Sequence, residues 1–246
     1  LIQSADSTIH SPVTLSFNNF RIETLTNMLQ SEILNLGGGI NGEATISRLE
    51  SKPVLVSNID IKKVYLGKDT IGNIGIKVNN LKDDTYAADI RISEYGNDVQ
   101  LLGEYFSPPT GESSFTATLN LKPLKMKTIE SFSLGYLKNN EGDLSGILDI
   151  SGTLAKPKIK GDLTFNKAKL NIAMLNADLL IDNQKIHFTD QGLSFKQFEL
   201  EDISGNRAKL NGTILTNTYT DFKFNLNLVT YNFAVVNSTR NDNDLF

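Results

Sequence analysis

The chain has 246 residues, with 24 basic and 28 acidic side chains, a formal charge of −4 and no cysteine. Charges of both signs are mixed along the whole length, so no basic stripe exists to follow a phosphate backbone, and nucleic acid is not an expected partner. The lack of cysteine excludes a disulfide framework and thiolate metal sites, and it leaves both the cytosol and the periplasm open.

The chain starts at Leu1, with no charged and then apolar leader, so a targeting segment is expected to lie outside this sequence. The aliphatic run Ala234, Val235, Val236 after Phe233 falls far short of the roughly 20 apolar residues that span a bilayer. In chain order, Ile22, Leu25, Met28 and Leu29 have the i, i+3, i+4 spacing of a short amphipathic helix near 22–33. Gly37 to Gly42 formally matches a dinucleotide-binding glycine pattern, but no helix pattern follows it, and it reads as a loop into a strand. Pro53 falls at a strand start, where a missing N–H removes no central ladder bond.

Turns are expected at Gly67-Lys68-Asp69, Lys82-Asp83-Asp84, Gly96-Asn97-Asp98 and Pro108 to Gly111. Between them Ala88, Ile90 and Ile92 alternate with Asp89, Arg91 and Ser93, the period of a strand with one wet face. Phe115, Ala117, Leu119 and Leu121 alternate in the same way with Thr116, Thr118, Asn120 and Lys122. A second helix is expected over 129–137. Further turns follow at Asn139 to Gly142, Asp182-Asn183 and Gly205-Asn206, and a last alternation runs through Phe222, Phe224, Leu226 and Leu228.

An internal repeat organises these elements. Gly38, Ile40, Gly42, Ile46, Ser47, Lys52 and Pro53 return as Gly142, Leu144, Gly146, Ile150, Ser151, Lys156 and Pro157, each 104 positions later. Upstream, Leu15, Phe17, Phe20, Ile22, Leu25 and Met28 correspond at the same offset to Leu119, Leu121, Leu124, Met126, Ile129 and Phe132, so both helices fall at repeat starts. A third start is visible where Leu226, Leu228, Tyr231 and Phe233 repeat the pattern of Leu119, Leu121, Leu124 and Met126. The expected division is therefore 1–118, 119–225 and the start of a third block at 226–246, with the array continuing in a longer parent.

The phrase built on Leu144, Gly146, Ile150, Gly152, Leu154, Pro157, Ile159, Gly161, Leu163 and Phe165 resembles the repeated signature of the TamB and AsmA-like family. The first copy is a degenerate version, with Gly42, Pro53, Val54 and Val56 in place and Arg48 where the second copy has Gly152. The likeness runs from about Leu15 to Asn217. It implies an all-β, elongated repeat sheet curled into a U-shaped, solenoid-like trough with a hydrophobic lumen. It also implies a periplasmic segment of a parent anchored in the inner membrane of a Gram-negative cell. Its partners would be phospholipid acyl chains and, for the full-length protein, an outer-membrane barrel assembly partner; its function would be phospholipid transport or assembly of outer-membrane and secreted proteins, without catalysis.

From alternation, the candidate lumen-lining residues are Leu144, Leu148, Ile150, Leu163, Phe165, Leu119, Leu121, Ile90 and Ile92; a one-residue register slip would reverse every one. Gly42, Gly146, Gly152 and Gly161, inside strand patterns, mark bends or close backbone approaches. Tyr86, Tyr105, Phe106, Phe165, Phe188, Phe195 and Phe198 fit either a lumen or a buried wall.

Two other classes compete: a structural or adhesive β-repeat protein packed on itself, and a β-solenoid carbohydrate-active enzyme with paired carboxylates. No catalytic residue, cofactor or metal site is expected. His10 and His187 have no cysteine or acidic cluster at ligand spacing, Asp182, Asp190, Asp242 and Asp244 lack the spacing of a cation loop, and Ser145 belongs to the repeat rather than to a nucleophile elbow.

Overall fold

The computed structural model describes residues 2–4, 12–24, 35–48 and 52–238. Its strands are β1 (Ile2–Ser4), β2 (Val13–Arg21), β3 (Leu36–Ser47), β4 (Val54–Leu66), β5 (Asp69–Asn79), β6 (Thr85–Glu94), β7 (Asn97–Phe106) and β8 (Ser114–Lys125). Helix α1 (Met126–Phe132) separates these from β9 (Glu141–Thr153), β10 (Lys156–Ile172), β11 (Ala177–Ile181), β12 (Gln184–Thr189), β13 (Gly192–Asp202), β14 (Arg207–Leu215) and β15 (Lys223–Thr230). The chain is all-β, one antiparallel sheet in chain order, except that β12 pairs with β10 and β13 beside β11.

Turn chemistry explains that order. Glu94 pairs with Asn97, and the two residues between them, Tyr95 and Gly96, both have positive φ (49° and 82°), as the tightest hairpin connection requires. The turn thus sits one residue before the predicted Gly96-Asn97-Asp98, and Asn97 opens β7. Pro53 immediately precedes β4 and Pro157 is the second residue of β10, as expected of proline at strand starts.

The second predicted helix is displaced. It spans Met126–Phe132 rather than 129–137, because Leu134 and Gly135 take positive φ (52° and 89°) and end the helical path. Residues 22–24 are helical, and the rest of the first predicted helix lies outside the described residues. Glu141 and Gly142, read as part of a turn, are the first residues of β9.

Alternation breaks at the same kind of place in four strands. Phe17 and Phe20, Ile61 and Val64, Phe165 and Ala168, and Phe195 and Phe198 each enclose two polar residues, and the second of these, Asn19, Lys63, Lys167 or Gln197, has φ between 44° and 52°. Each is a bulge that puts the enclosing apolar residues back on one face. Each bulged N–H donates to a side chain on the neighbouring strand or turn: Asn19 to Asn41 Oδ1 at 2.8 Å, Lys63 to Asn73 Oδ1 at 2.9 Å, Lys167 to Asp182 Oδ1 at 2.9 Å and Gln197 to Asn211 Oδ1 at 2.8 Å. These bonds satisfy donors that the ladder leaves over.

The chain forms two compact units, residues 1–119 with 151–154, and residues 120–150 with 155–246. In the first, Val64, Leu66 and Ile71 are buried together, with Leu36, Ile61, Ile74 and Ile92 packed against them. In the second, Met126 from α1 closes over Phe165, Ala168, Ile181 and Phe198. There Phe198 meets Phe165 and Phe195 edge to face, with ring centroids 5.8 and 5.4 Å apart.

Candidate functional site

Cross-strand partners share a face, so the register of the first unit defines what each face carries. One row runs Phe17, Gly42, Ile59, Ile76, Ile90, Leu101 across β2 to β7. The next row toward the bulges runs Phe20, Ile40, Ile61, Ile74, Ile92, Val99, and the row on the other side runs Leu15, Ala44, Ser57, Val78, Ala88, Gly103.

The opposite face is mainly polar. Ser16, Glu43, Asn58, Lys77 and Asp89 make one row there, ending at exposed Leu102 on β7, and Asn41, Asp60, Gly75, Arg91 and Gln100 make the next; Val56 is a second exposed apolar residue on this face. Arg91 grips Asp89 with two bonds of 3.1 and 3.0 Å, and Gln100 donates to the same carboxylate at 3.0 Å. The guanidinium bonds, then the Gln100 bond, hold the Asp89 carboxyl below its ordinary range.

A β-branched row inside a closed sandwich is buried from both sides. Here Ile40, Ile59, Ile61, Ile74, Ile76, Ile90 and Ile92 are all only half-buried. The face therefore offers parallel aliphatic ridges, about 4.8 Å apart from strand to strand: Ile61, Ile74 and Ile92 use part of their surface against the Val64, Leu66 and Ile71 cluster, and all seven keep a solvent-accessible remainder. Such a surface suits extended hydrocarbon, which gains about 0.8 kcal/mol for each methylene removed from water.

The candidate lumen residues divide between open and filled environments. Ile90 and Ile92 lie in the isoleucine rows, and Leu119, Leu144 and Ile150 are half-buried. Leu121, Leu148, Leu163 and Phe165 are buried. In the second unit Gly161 pairs with Phe188, Phe188 with Leu193, Leu193 with Ile214 and Ile214 with Phe224, so an apolar row exists there too. Phe165, however, is part of the cluster closed by Met126, so that stretch of the face is covered by the helix.

Glycines give these rows room. Gly146 and Gly161 take φ of 147° and 129°, and a Cβ at either would stand 2.0 Å from the Asp162 carbonyl oxygen or 2.1 Å from that of Ile147. Only glycine permits so close an approach of adjacent backbones.

The polar candidates find ordinary partners. His187 Nδ1 lies 2.6 Å from Asp162 on the solvent side, Asp182 caps the β10 bulge, and Asp190 pairs with Lys160 at 2.9 Å. Ser145 accepts from Asn166 at 2.9 Å, which also donates to Asp143 at 2.8 Å. Glu199 and Glu201 face Lys209 and Arg207 across the ladder at 3.3 and 3.4 Å. No metal-binding cluster occurs among the described residues, and His10, Asp242 and Asp244 lie outside them. No described helix is long and apolar enough to cross a membrane.

Two polar hubs escaped sequence reasoning. Glu23 accepts from Tyr65 at 2.6 Å and from Arg21 at 3.1 Å; the Arg21 bond first, then the Tyr65 bond, pulls its pKa down to about 2 and raises that of the phenol. Asp202, 2% exposed, accepts from the N–H of Ala234 at 3.0 Å and of Ser204 and Asn206 at 2.9 Å each. Arg21 beside Glu23, and Ser204 and Asn206 after Asp202, are local partners visible in the sequence, whereas Tyr65 and Ala234 are brought to these carboxylates only by folding.

No family model, no characterised relative and no solved structure matches the chain.

Proposed function

We propose that this chain is a segment of a hydrophobic conduit that shields lipid acyl chains from water. The carrying observation is the set of half-buried isoleucine rows on one face of the first unit, backed by a mainly polar opposite face. A protein that needs this sheet only for its own core would bury those residues. The likeness of the Leu144 to Phe165 stretch to the TamB and AsmA-like signature supports the same reading. In that reading the sheet curls into a trough, the parent is anchored in the inner membrane and spans the periplasm, and its cargo is phospholipid, or outer-membrane and secreted proteins handed to a barrel partner.

The chemistry is passive. Aliphatic ridges take alkyl chains without charge or directed bonds, and the headgroup stays in solvent at the rim. Native mass spectrometry of the purified 246-residue chain tests this. Mass increments equal to phospholipid, lost on substituting Ile76 and Ile90 by aspartate, support the conduit. The cluster under Met126 favours a second reading, a structural repeat packed on itself, and a chain that stays lipid-free in the presence of phospholipid vesicles would select it.

A further inference from the structure

The face opposite the isoleucine rows carries a cationic hollow that the conduit reading does not use. Arg21 pairs with Gly39 and Gly39 with Lys62, so two cations in one row flank a residue without a side chain. The β4 bulge adds a third. Ile61 and Val64 pack on the apolar side, so the two residues between them both leave from the polar side, and Lys62 and Lys63 act as adjacent prongs instead of pointing to opposite faces. Lys63 is held in this geometry by φ of 52° and by the bond from its N–H to Asn73.

These residues, with Tyr65, Thr70 and Tyr95, line a cavity of about 600 Å³. Gly37, the cross-strand partner of Tyr65, leaves room for its ring, since a Cβ there would come within 2.1 Å of Cζ. Arg21 is already matched by Glu23 at 3.1 Å. Among the described residues Lys62 and Lys63 make no ion pair. The net charge facing the hollow is thus that of two lysines, which complements a phosphate monoester carrying about −1.5 to −2 at neutral pH.

We propose that this hollow binds a phosphate monoester, held by Lys62 and Lys63 with hydroxyl donors at its wall. The oxyanion comes either from a small soluble phosphate or from a lipid headgroup of the phosphatidic acid type. Because the hollow lies on the polar face, the proposal stands whether or not acyl chains occupy the isoleucine rows.

Amide resonances of the isotopically labelled full chain test the site directly. Inorganic phosphate and glycerol 3-phosphate, titrated against chloride at matched ionic strength, should shift Gly38, Gly39 and Lys63 saturably. The double variant Lys62→Gln, Lys63→Gln should bind at least tenfold more weakly with unchanged thermal unfolding. Asn73→Ala keeps every charge but releases the bulge, and should weaken binding severalfold. Flotation with vesicles of phosphatidylcholine alone or with phosphatidic acid separates the two sources of the monoester. Resonances that move no more with phosphate than with chloride, together with equal flotation on both vesicles, overturn the site; a double variant that binds like the parent overturns the role of the lysines.

Discussion

Asn211 on β14 accepts the backbone N–H of Gln197 at 2.8 Å, and that bond holds the β13 bulge which returns Phe198 to the face of Phe195. Without a bulge, the two polar residues between the phenylalanines would leave them on opposite faces. Asn211→Ala removes the acceptor and should cost about 1 kcal/mol, the net value of one partly solvated hydrogen bond, read as a lower urea midpoint at unchanged slope. An unchanged midpoint would show that the ladder alone sets the bulge.

Glycine should be irreplaceable where strands approach most closely. Gly161→Ala combines φ of 129° with a Cβ 2.1 Å from the Ile147 carbonyl oxygen, and should lose about 3 kcal/mol or more. Gly67→Ala, at φ of 62° with nothing within 4 Å, should lose only about 1 kcal/mol. Chemical denaturation of the pair separates contact from backbone conformation.

Asp202 should make the segment after β15 acid-sensitive. Its carboxyl is lowered to about 2, first by the bond from the Ala234 N–H and then by Asn206. A depressed carboxylate stabilises the fold above its unfolded value of about 3.9, and that contribution is lost as pH falls from there through about 2. Hydrogen exchange at residues 231–238 should therefore accelerate between about pH 4 and 2, beyond the intrinsic rate. Asp202→Ala should show the fast exchange already at pH 7; slow exchange in that variant would place the hold elsewhere, for instance at Asn237 and Leu175, 2.9 Å apart.

Core and open face should respond differently to truncation. Phe198, 3% exposed among aromatic and aliphatic neighbours, should lose about 3–5 kcal/mol on change to alanine. Half-buried Ile76 already meets solvent on one side and should lose only about 1–2 kcal/mol. Equal losses in thermal or urea unfolding would mean that the isoleucine rows are core.

Much of this fold was legible because strand periodicity is local. Ala88 to Ile92 and Phe115 to Leu121 alternate without interruption and lie in β6 and β8 as predicted. The bulges were not read, although Phe17-Asn18-Asn19-Phe20 and Ile61-Lys62-Lys63-Val64 mark them by a doubled polar step. Helix α1 was misplaced because Met126 and Ile129 are helical by their packing on the cluster rather than by any capping residue. Alternation also overstated burial: β15 carries Phe224, Leu226 and Leu228 in register with β14, yet every residue of the strand is exposed. Burial depends on what lies above a face, which a strand's own period does not encode.

The most direct test of the conduit exploits neighbours on opposite faces. A photoreactive residue placed at Ile90, and separately at Arg91, is irradiated in cells producing the chain. Ile90 stands in the aliphatic row with Ile76 and Leu101, while Arg91 belongs to the polar row with Gln100. The account predicts phospholipid adducts from position 90 and none from position 91; adducts from neither, or equally from both, would contradict it.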